Sequence, residues 1–216
     1  MASGGGLVIM ARWPAPGRCK RRLAQDLVQQ LKLKGGKERS AGLQWRLTRH
    51  TLETIKQVRQ HGGIDPVLAV SGLGSNGAKR WARQEGFQRV RLQGSGSLGT
   101  RLKRQLLSEQ PSRRPTLVIG TDLPDLNRRD FHDALLHLQH KDLVLGPAKD
   151  GGYWLIGFSV ALMADPGRWP LIGIPWGEDR VLRSTLMEAE RAGLTSALLP
   201  RRNDIDHLQD LQPWQG

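Results

Sequence analysis

The sequence has almost no cysteine and no long apolar run. Cys19 is the only cysteine among 216 residues, which excludes an intrachain disulfide and a cysteine-rich zinc site. No apolar run approaches the ~20 residues that a helix needs to cross a bilayer, so we expect no membrane span. The first apolar run has no basic segment before it, and Arg12 and Pro14 end it early. This argues against a secretory signal and favours a cytoplasmic protein.

Acidic residues are scarce in the N-terminal part of the chain. Residues 1–60 contain 13 lysines and arginines but only three acids, whereas the remaining 156 residues contain 20 against 17. The net charge of +13 is therefore concentrated near the N-terminus. Such asymmetry indicates an anionic partner there. Nucleic acid, a phosphorylated small molecule and an acidic membrane surface all fit, and charge alone does not choose among them.

Short apolar runs alternate with helical patterns along the chain. Residues 7–11 (LVIMA), 66–70 (PVLAV) and 116–120 (TLVIG) are typical of strands that are covered on both faces. Between the first two, helical spacing extends over residues 20–33, where Leu31 is expected to face inward, and over residues 38–60. This alternation predicts an α/β fold with a doubly wound, mostly parallel sheet, and residues 1–216 are predicted to form one domain.

The loop after the first predicted strand is strongly basic. It reads RWPAPGRCKRRL over residues 12–23 and leads into a helix, whose free N-terminal N–H groups attract anions. Gly17 allows close approach of the backbone to a ligand, and Arg18, Lys20 and Arg22 supply positive charge. The segment thus predicts a phosphate-binding loop, although a solvated basic helix start explains it equally well. Its spacing is not that of a Walker loop.

Acidic residues follow the later predicted strands. Asp122 stands at the end of one apolar run, and Asp150 precedes a Gly-Gly pair after another. Ligands of open α/β sheets bind beyond the carboxyl ends of the strands, and divalent cations prefer carboxylate oxygens. Asp204 and Asp206 lie on one side of an extended segment, although either alone is more simply explained as a cap of the short helix near residues 208–211.

Two glycine-containing turns are further candidates for ligand contacts. Gly151 and Gly152 remove side chains that would obstruct a ligand, and Tyr153 is a candidate to pack against a substrate, although core packing is the commoner role of such a residue. Residues 94–99 (GSGSLG) form a second candidate anion-binding loop, with Arg101 just inside the following helix.

Five segments together resemble the bacterial DUF2064 family. They are, in this order, PAPGRCKRRLA, GSGSLGTRL, IGTDLPDL, LGPAKDGGYWLIG and DIDHLQDL. The resemblance extends over residues 7–211. It implies a GT-A fold of the nucleotide-diphospho-sugar transferase superfamily, in which a three-layer α/β/α domain has a small antiparallel element. The family is also similar to phospholactate guanylyltransferases and, more distantly, to molybdenum-cofactor guanylyltransferases.

The resemblance also implies roles for individual positions. Asp122 and Asp206 would hold Mg²⁺ or Mn²⁺, and Asp122, Lys20 and Asp150 would be the catalytic residues. The implied nucleotide contacts are Pro16, Gly17, Arg18, Lys20, Arg22 and Arg101, and the implied acceptor or sugar contacts are Gly151, Gly152 and Tyr153. The chain departs from the family pattern at Arg21, where Thr or Ser is usual, and at Ser97, where an acid is usual. The first change adds a candidate phosphate contact, and the second removes the acid that the family usually has in that loop.

Two reactions fit such a site. Glycosyl transfer from a nucleotide-sugar to a small acceptor is the main expectation, because the family is usually described in this way. Nucleotidyl transfer from an NTP to a phosphorylated acceptor is the alternative, favoured by the cations of the first loop and by the absence of an Asp-x-Asp motif at Asp122. A non-catalytic nucleic-acid-binding protein is a third hypothesis, but no recognised nucleic-acid-binding signature is present. The sequence is compatible with a homodimer and does not decide the oligomeric state.

Overall fold

The computed structural model describes residues 4–214, and a seven-stranded sheet forms its centre. The strand order is β3-β2-β1-β4-β6-β5-β7. The strands are β1 (Gly5–Arg12), β2 (Ile64–Ser71), β3 (Val90–Leu92), β4 (Thr116–Ile119), β5 (Leu143–Pro147), β6 (Tyr153–Phe158) and β7 (Ser196–Leu198). Only β6 is antiparallel to its neighbours β4 and β5, and every other pairing is parallel. The prediction of a mostly parallel sheet with a small antiparallel element is confirmed.

Helices cover both faces of this sheet. They are α1 (Arg21–Gln29), α2 (Gly36–Gln60), α3 (Ser75–Gln84), α4 (Leu98–Glu109), α5 (Arg128–His137), α6 (Val160–Ala164) and α7 (Val181–Arg191), with 3₁₀ turns at Gln110–Ser112, Pro166–Arg168 and Leu208–Trp214. The core on one face joins the sheet to α2, α3 and α5, and the core on the other joins it to α4, α6 and α7. The predicted three-layer architecture is therefore confirmed.

The strands bury both of their faces, which explains their continuous apolar sequences. In β1, Leu7 and Ile9 belong to one core while Val8 belongs to the other. Side chains of a strand alternate between its faces, so a strand between two helix layers needs apolar residues at every position. The parallel strands also end at one edge of the sheet, and this edge carries the loops that form the candidate site.

The first helix is shorter than predicted. It ends at Gln29, because the chain turns through Lys32, whose φ is +54°, and the Leu33 N–H donates to the Leu27 carbonyl. A Cβ at Gly36 would collide with the Ala24 carbonyl, so the turn brings the start of α2 directly against α1. Leu31, predicted to be buried, is 49% exposed.

Local capping accounts for two other helix starts. The side chain of Asn127 accepts the Arg129 N–H, and Asp130 accepts the N–H of Asn127. This capping box explains why α5 begins directly after Asn127. The helix α6 was not predicted from the sequence. It begins where the Ser159 hydroxyl accepts the Leu162 N–H. None of the described helices has the length and apolar character needed to cross a membrane.

Candidate active site

A cavity of about 670 Å³ opens at the carboxyl ends of β1, β4 and β5. Its volume lies within the range of small-molecule sites. One part of its wall is charged and contains Lys20, Arg21, Arg22, Asp122, Asp150, Asp204 and Asp206. Another part is largely apolar and contains Leu98, Tyr153, Trp154, Trp176 and Val181. Predicted positions from four separate segments therefore meet in one cavity, and there are seven of them: Lys20, Arg22, Asp122, Asp150, Gly152, Tyr153 and Asp206.

Lys20 lies at the centre of the charged wall. Its side chain is only 2% exposed, and its Nζ is 2.9 Å from Asp206 Oδ1 and 3.4 Å from Asp122 Oδ1. Burial alone would lower the pKa of Lys20, but the charges of Asp122 and Asp206 outweigh burial and raise it. Lys20 is therefore a permanent cation that links the start of α1 to the segment after β4 and to the C-terminal segment.

Asp204 adds a carboxylate with a shifted pKa to this wall. Burial, together with the charges of Asp206 and Asp150, raises the pKa of Asp204 to about 6. Acids thus outnumber the single buried cation, and the cluster attracts additional positive charge.

Thr121, the residue before Asp122, is held by hydrogen bonds from side chains of α2. Gln44 Nε2 donates to the Thr121 carbonyl at 3.3 Å, and the hydroxyls of Thr48 and Thr121 are 3.3 Å apart. All three side chains are buried. Sequence analysis missed Gln44 and Thr48, although two polar residues one turn apart on the inner face of a helix are a recognisable signal, since buried polar groups need hydrogen-bond partners.

The segment that carries Asp206 is held by α1. Asp26 Oδ2 accepts the Leu208 N–H at 3.1 Å and also contacts His207 Nδ1 at 3.1 Å. Asp210 accepts the backbone N–H groups of Asp206 and His207. The suggestion that Asp204 or Asp206 caps the last helical turn is therefore wrong, because Asp26 and Asp210 take those N–H groups and leave Asp206 for Lys20.

Arg202 anchors the same segment on its other side. Its guanidinium contacts Asp125 Oδ2 at 2.7 Å, pairs with Asp130 and lies over the Trp154 ring, with 5.7 Å from Cζ to the ring centroid. The backbone next to it is bridged to the end of β5 through Ala148. Arg202 was not identified from the sequence, because none of these partners is close to it along the chain.

The Asp150 turn is shaped by contacts within the protein. Asp150 Oδ1 accepts the Gly152 N–H at 2.9 Å. Gly151 has a φ of +88°, and a Cβ there would collide with the backbone of Asp179. The sequence reading assigned the open space at Gly151 to a ligand. In the structure the facing loop occupies it, and Gly152 is the glycine of this pair that lines the cavity.

Three aromatic side chains form the apolar wall. Trp176 packs on Gly99, where any side chain would collide with its indole ring, and it meets Tyr153 edge to face at 6.1 Å between centroids. Burial raises the pKa of Tyr153, so its hydroxyl stays protonated. The buried Trp154 Nε1 makes no hydrogen bond within the described residues. This wall suits a flat ring or a sugar face.

Several predicted nucleotide contacts lie away from the cavity. Pro16, Gly17 and Arg18 are absent from its wall among residues 4–214, whereas Arg21 and Arg22 belong to it. Gly17 has a φ of +73° and faces Lys37. Arg101 is also outside the wall and donates to Gln93 Oε1 at 3.1 Å. The cations nearest to a ligand in this cavity are therefore Lys20, Arg21 and Arg22.

Comparisons with known proteins agree with this architecture. The model of the family described as "Uncharacterized protein conserved in bacteria (DUF2064)" matches residues 54–178. No curated protein matches the chain significantly.

Solved structures supply further matches. A "putative nucleotide-diphospho-sugar transferase" from Desulfovibrio desulfuricans is 28% identical with a TM-score of 0.79, and the alignment covers 96% of this chain and 85% of that one.

Two more distant structures share the fold. One is 4-diphosphocytidyl-2C-methyl-D-erythritol synthase from Anaerococcus prevotii, with 15% identity, a TM-score of 0.61, and coverage of 97% of this chain and 95% of that one. The other is a cytidylyltransferase from Leptospira borgpetersenii, with 14% identity, a TM-score of 0.58, and coverage of 97% and 84%.

Proposed function

This chain belongs to the bacterial DUF2064 family, and we propose that it is a metal-assisted transferase that moves a glycosyl group from a nucleotide-sugar to a small acceptor. The observation that carries the proposal is the cavity in which buried Lys20 joins Asp122 and Asp206 beside an aromatic wall. The charged wall suits the diphosphate of a donor, and the aromatic wall suits its sugar or base. The similarity to the Desulfovibrio desulfuricans protein supports this class of donor.

The cations of the wall are assigned to the donor phosphates. Arg21 and Arg22 are exposed and line the cavity, so their guanidinium groups are available for charge-assisted hydrogen bonds with phosphate oxygens. Lys20 already contacts two carboxylates, and we assign it to orient them and to compensate charge. Arg21, which replaces the usual Thr or Ser of the family, therefore supplies a phosphate contact.

A divalent cation fits the carboxylates of the charged wall. Asp122 and Asp206 each present a partly exposed side chain next to the same ammonium group, with 46% and 42% of the side chain accessible. Across residues 4–214 no three His, Cys, Asp or Glu side chains form a complete ligand set. Mg²⁺ in phosphate sites needs only one or two protein carboxylates and completes its shell with waters and phosphate oxygens. We assign Asp122 and Asp206 to hold Mg²⁺ or Mn²⁺, which would neutralise charge on the leaving diphosphate.

Asp150 is assigned to the acceptor. One of its oxygens is held by the Gly152 N–H, which fixes the carboxylate at the cavity wall. In the proposed step the acceptor hydroxyl oxygen bonds to the anomeric carbon and the bond from that carbon to the diphosphate breaks. The hydroxyl proton passes to Asp150, and the nucleoside diphosphate leaves.

Nucleotidyl transfer is the second candidate. The fold is shared with a cytidylyltransferase and with a 4-diphosphocytidyl-2C-methyl-D-erythritol synthase, so this architecture accommodates nucleotidyl transfer. The three cations beside the acids would suit a triphosphate. In that reaction an oxygen of the acceptor phosphate bonds to the α-phosphorus of an NTP, and pyrophosphate leaves.

Phosphorus NMR of reaction mixtures distinguishes the two reactions. The protein is incubated with a panel of nucleotide-sugars or NTPs, each with candidate acceptors and Mg²⁺ or Mn²⁺. A nucleoside diphosphate released from a nucleotide-sugar supports glycosyl transfer, and pyrophosphate released from an NTP supports nucleotidyl transfer. Asp122→Asn should abolish either signal, whereas Asp133→Asn, a control on α5 outside the cavity wall, should retain it. Turnover by Asp122→Asn would remove the metal assignment.

A further inference from the structure

The proposed reaction leaves most of the N-terminal positive charge unused. Of the 13 lysines and arginines in residues 1–60, only Lys20 and Lys56 form ion pairs within the part of the chain that the structure describes. The other eleven are all exposed. They are Arg12, Arg18, Arg21, Arg22, Lys32, Lys34, Lys37, Arg39, Arg46, Arg49 and Arg59.

Two of the three acids in residues 1–60 are already engaged, and the third, Glu38, is exposed between Lys37 and Arg39. Asp26 is held by His207 and the Leu208 N–H, and Glu53 pairs with Lys56. Elsewhere in the protein some cations are neutralised in clusters, as when Glu109, which is fully buried, pairs with Arg89 and Arg91. Residues 61–216 contain 20 lysines and arginines against 17 acids, so the excess of positive charge is concentrated in the segment that contains α1 and α2.

Two exposed aliphatic side chains lie within the same basic region. Val28 is 48% exposed and Leu31 is 49% exposed, at the end of α1 and in the turn that follows it. Lys32 and Lys34 follow Leu31 in that turn and are also exposed. We define the lipid tip as residues 28–34. It combines apolar side chains with cations at a position where the chain turns away from α1.

We propose that the lipid tip and the exposed cations Lys37 and Arg39 at the start of α2 bind the surface of an anionic lipid bilayer. Cations close to a bilayer are attracted to acidic headgroups, and aliphatic side chains insert at the boundary between headgroups and acyl chains. Single-stranded nucleic acid would use the same cations, but its bases stack on aromatic rings, whereas Val28 and Leu31 are aliphatic. The combination therefore favours a lipid surface as the anionic partner.

The position of the lipid tip relates this surface to the cavity. Arg21 and Arg22 begin α1 at the cavity wall, and a nine-residue helix extends about 13 Å at 1.5 Å per residue. Binding through the lipid tip thus brings the cavity close to the bilayer surface. An acceptor presented at that surface would then be within reach.

Vesicle co-sedimentation of the full chain tests this assignment. The vesicles are phosphatidylcholine alone, or phosphatidylcholine mixed in equal parts with phosphatidylglycerol. The charge variant is Lys32→Glu, Lys34→Glu and Arg39→Glu, and the apolar variant is Val28→Ser and Leu31→Ser. A matched control, Arg83→Glu, Arg128→Glu and Lys141→Glu, makes the same change of net charge at exposed positions on other elements. Thermal unfolding of each variant checks that it is folded.

The proposal predicts binding to the mixed vesicles and none to phosphatidylcholine alone. The charge variant should lose affinity by about a hundredfold, at the typical contribution of each cation near an anionic surface. The apolar variant should lose about tenfold, while the control changes less than about threefold. Equal losses in the control and the charge variant would overturn the proposal, because net charge alone would then explain binding. Parent-like binding by the apolar variant, or a preference for single-stranded RNA over mixed vesicles in competition, would overturn it as well.

Discussion

Replacing Lys20 by methionine tests the charged wall directly, because the change removes the ammonium group and keeps most of the buried stem. The Lys20 side chain is 2% exposed, and its Nζ lies 2.9 Å from Asp206 and 3.4 Å from Asp122. Removing one partner of a fully buried ion pair costs ~3–5 kcal/mol. The two carboxylates here are 42–46% exposed, so water takes up part of the uncompensated charge. We therefore expect a loss of about 1–3 kcal/mol in the free energy of unfolding.

Urea unfolding at neutral pH measures this loss, and Lys56→Met is the matched control. Lys56 pairs with Glu53 at the surface, where such a pair contributes less than about 0.5 kcal/mol. The raised pKa of Lys20 means that its contribution is fully present below the ordinary lysine pKa and is lost as the pH rises through the higher pKa of the folded state. The difference between parent and Lys20→Met should therefore persist from pH 6 to pH 9. If the two methionine variants are equally stable, the bridging role of Lys20 is wrong.

Three other substitutions probe the surroundings of the site and the far end of the sheet. Gly151→Ala should destabilise the protein by more than ~3 kcal/mol, because the new Cβ would collide with the backbone of Asp179. Gly173→Ala should cost only ~1 kcal/mol, because Gly173 has a φ of +72° but open space around it. Thermal unfolding compares the two variants, and equal losses would contradict the steric argument. Arg202→Met should cost about 3 kcal/mol in urea unfolding, because it leaves the buried Asp130 without its cation; a loss below about 0.5 kcal/mol would contradict this. Asp65→Asn should lower the thermal stability slightly at pH 7, since the side chain is 45% exposed. Burial raises the pKa of Asp65, but its arginine partners outweigh burial and lower it. The stability that the Asp65 ion pairs contribute is therefore present above the ordinary aspartate pKa and disappears as the pH falls through the lower pKa of the folded state. A stability deficit of Asp65→Asn that grows toward pH 3 would refute the assignment.

The sheet was predictable because its strands are buried on both faces. Continuous apolar runs such as that of β1 occur where two helix layers cover a strand, and Gly, Pro or Asp marks the end of each run. Because these strands are parallel, acids at their ends were expected to meet at one edge. Asp122 and Asp150 do meet there, although their chemical roles stay predictions.

Tertiary contacts decided what the sequence reading missed. Leu31 has helical spacing, but the close approach of Gly36 to α1 turns the chain before that position and exposes it. In the sequence Gly151 indicates space for a ligand, but in the structure the loop that contains Asp179 packs against it. Gln44 and Thr48 hold Thr121, the residue before Asp122, across more than 70 residues of sequence. Their spacing on the inner face of α2 signals that they need hydrogen-bond partners, but it does not identify Thr121 as the partner.

The roles of the cations in the basic first loop also depend on tertiary contacts. Its charge predicted phosphate contacts throughout, but Lys20 is buried against carboxylates while Arg21 and Arg22 line the cavity. Whether a side chain of this loop is buried depends on whether it points to the edge of the sheet or to solvent. For Lys20 this depends on where the C-terminal segment that carries Asp206 lies, which the sequence does not show.

Calorimetric titration of nucleotide-sugars, with and without Mg²⁺, measures whether Asp122 supports metal-dependent binding of the donor. At least one nucleotide-sugar should bind more tightly with Mg²⁺ to the parent and to Asp133→Asn, and Asp122→Asn should lose this metal-dependent gain. The thermal stability of the parent should rise by the equivalent of about 2.7 kcal/mol at a ligand concentration of 100 times Kd. Equal metal-dependent affinity in the parent and Asp122→Asn, or no binding of any nucleotide-sugar, would contradict the account.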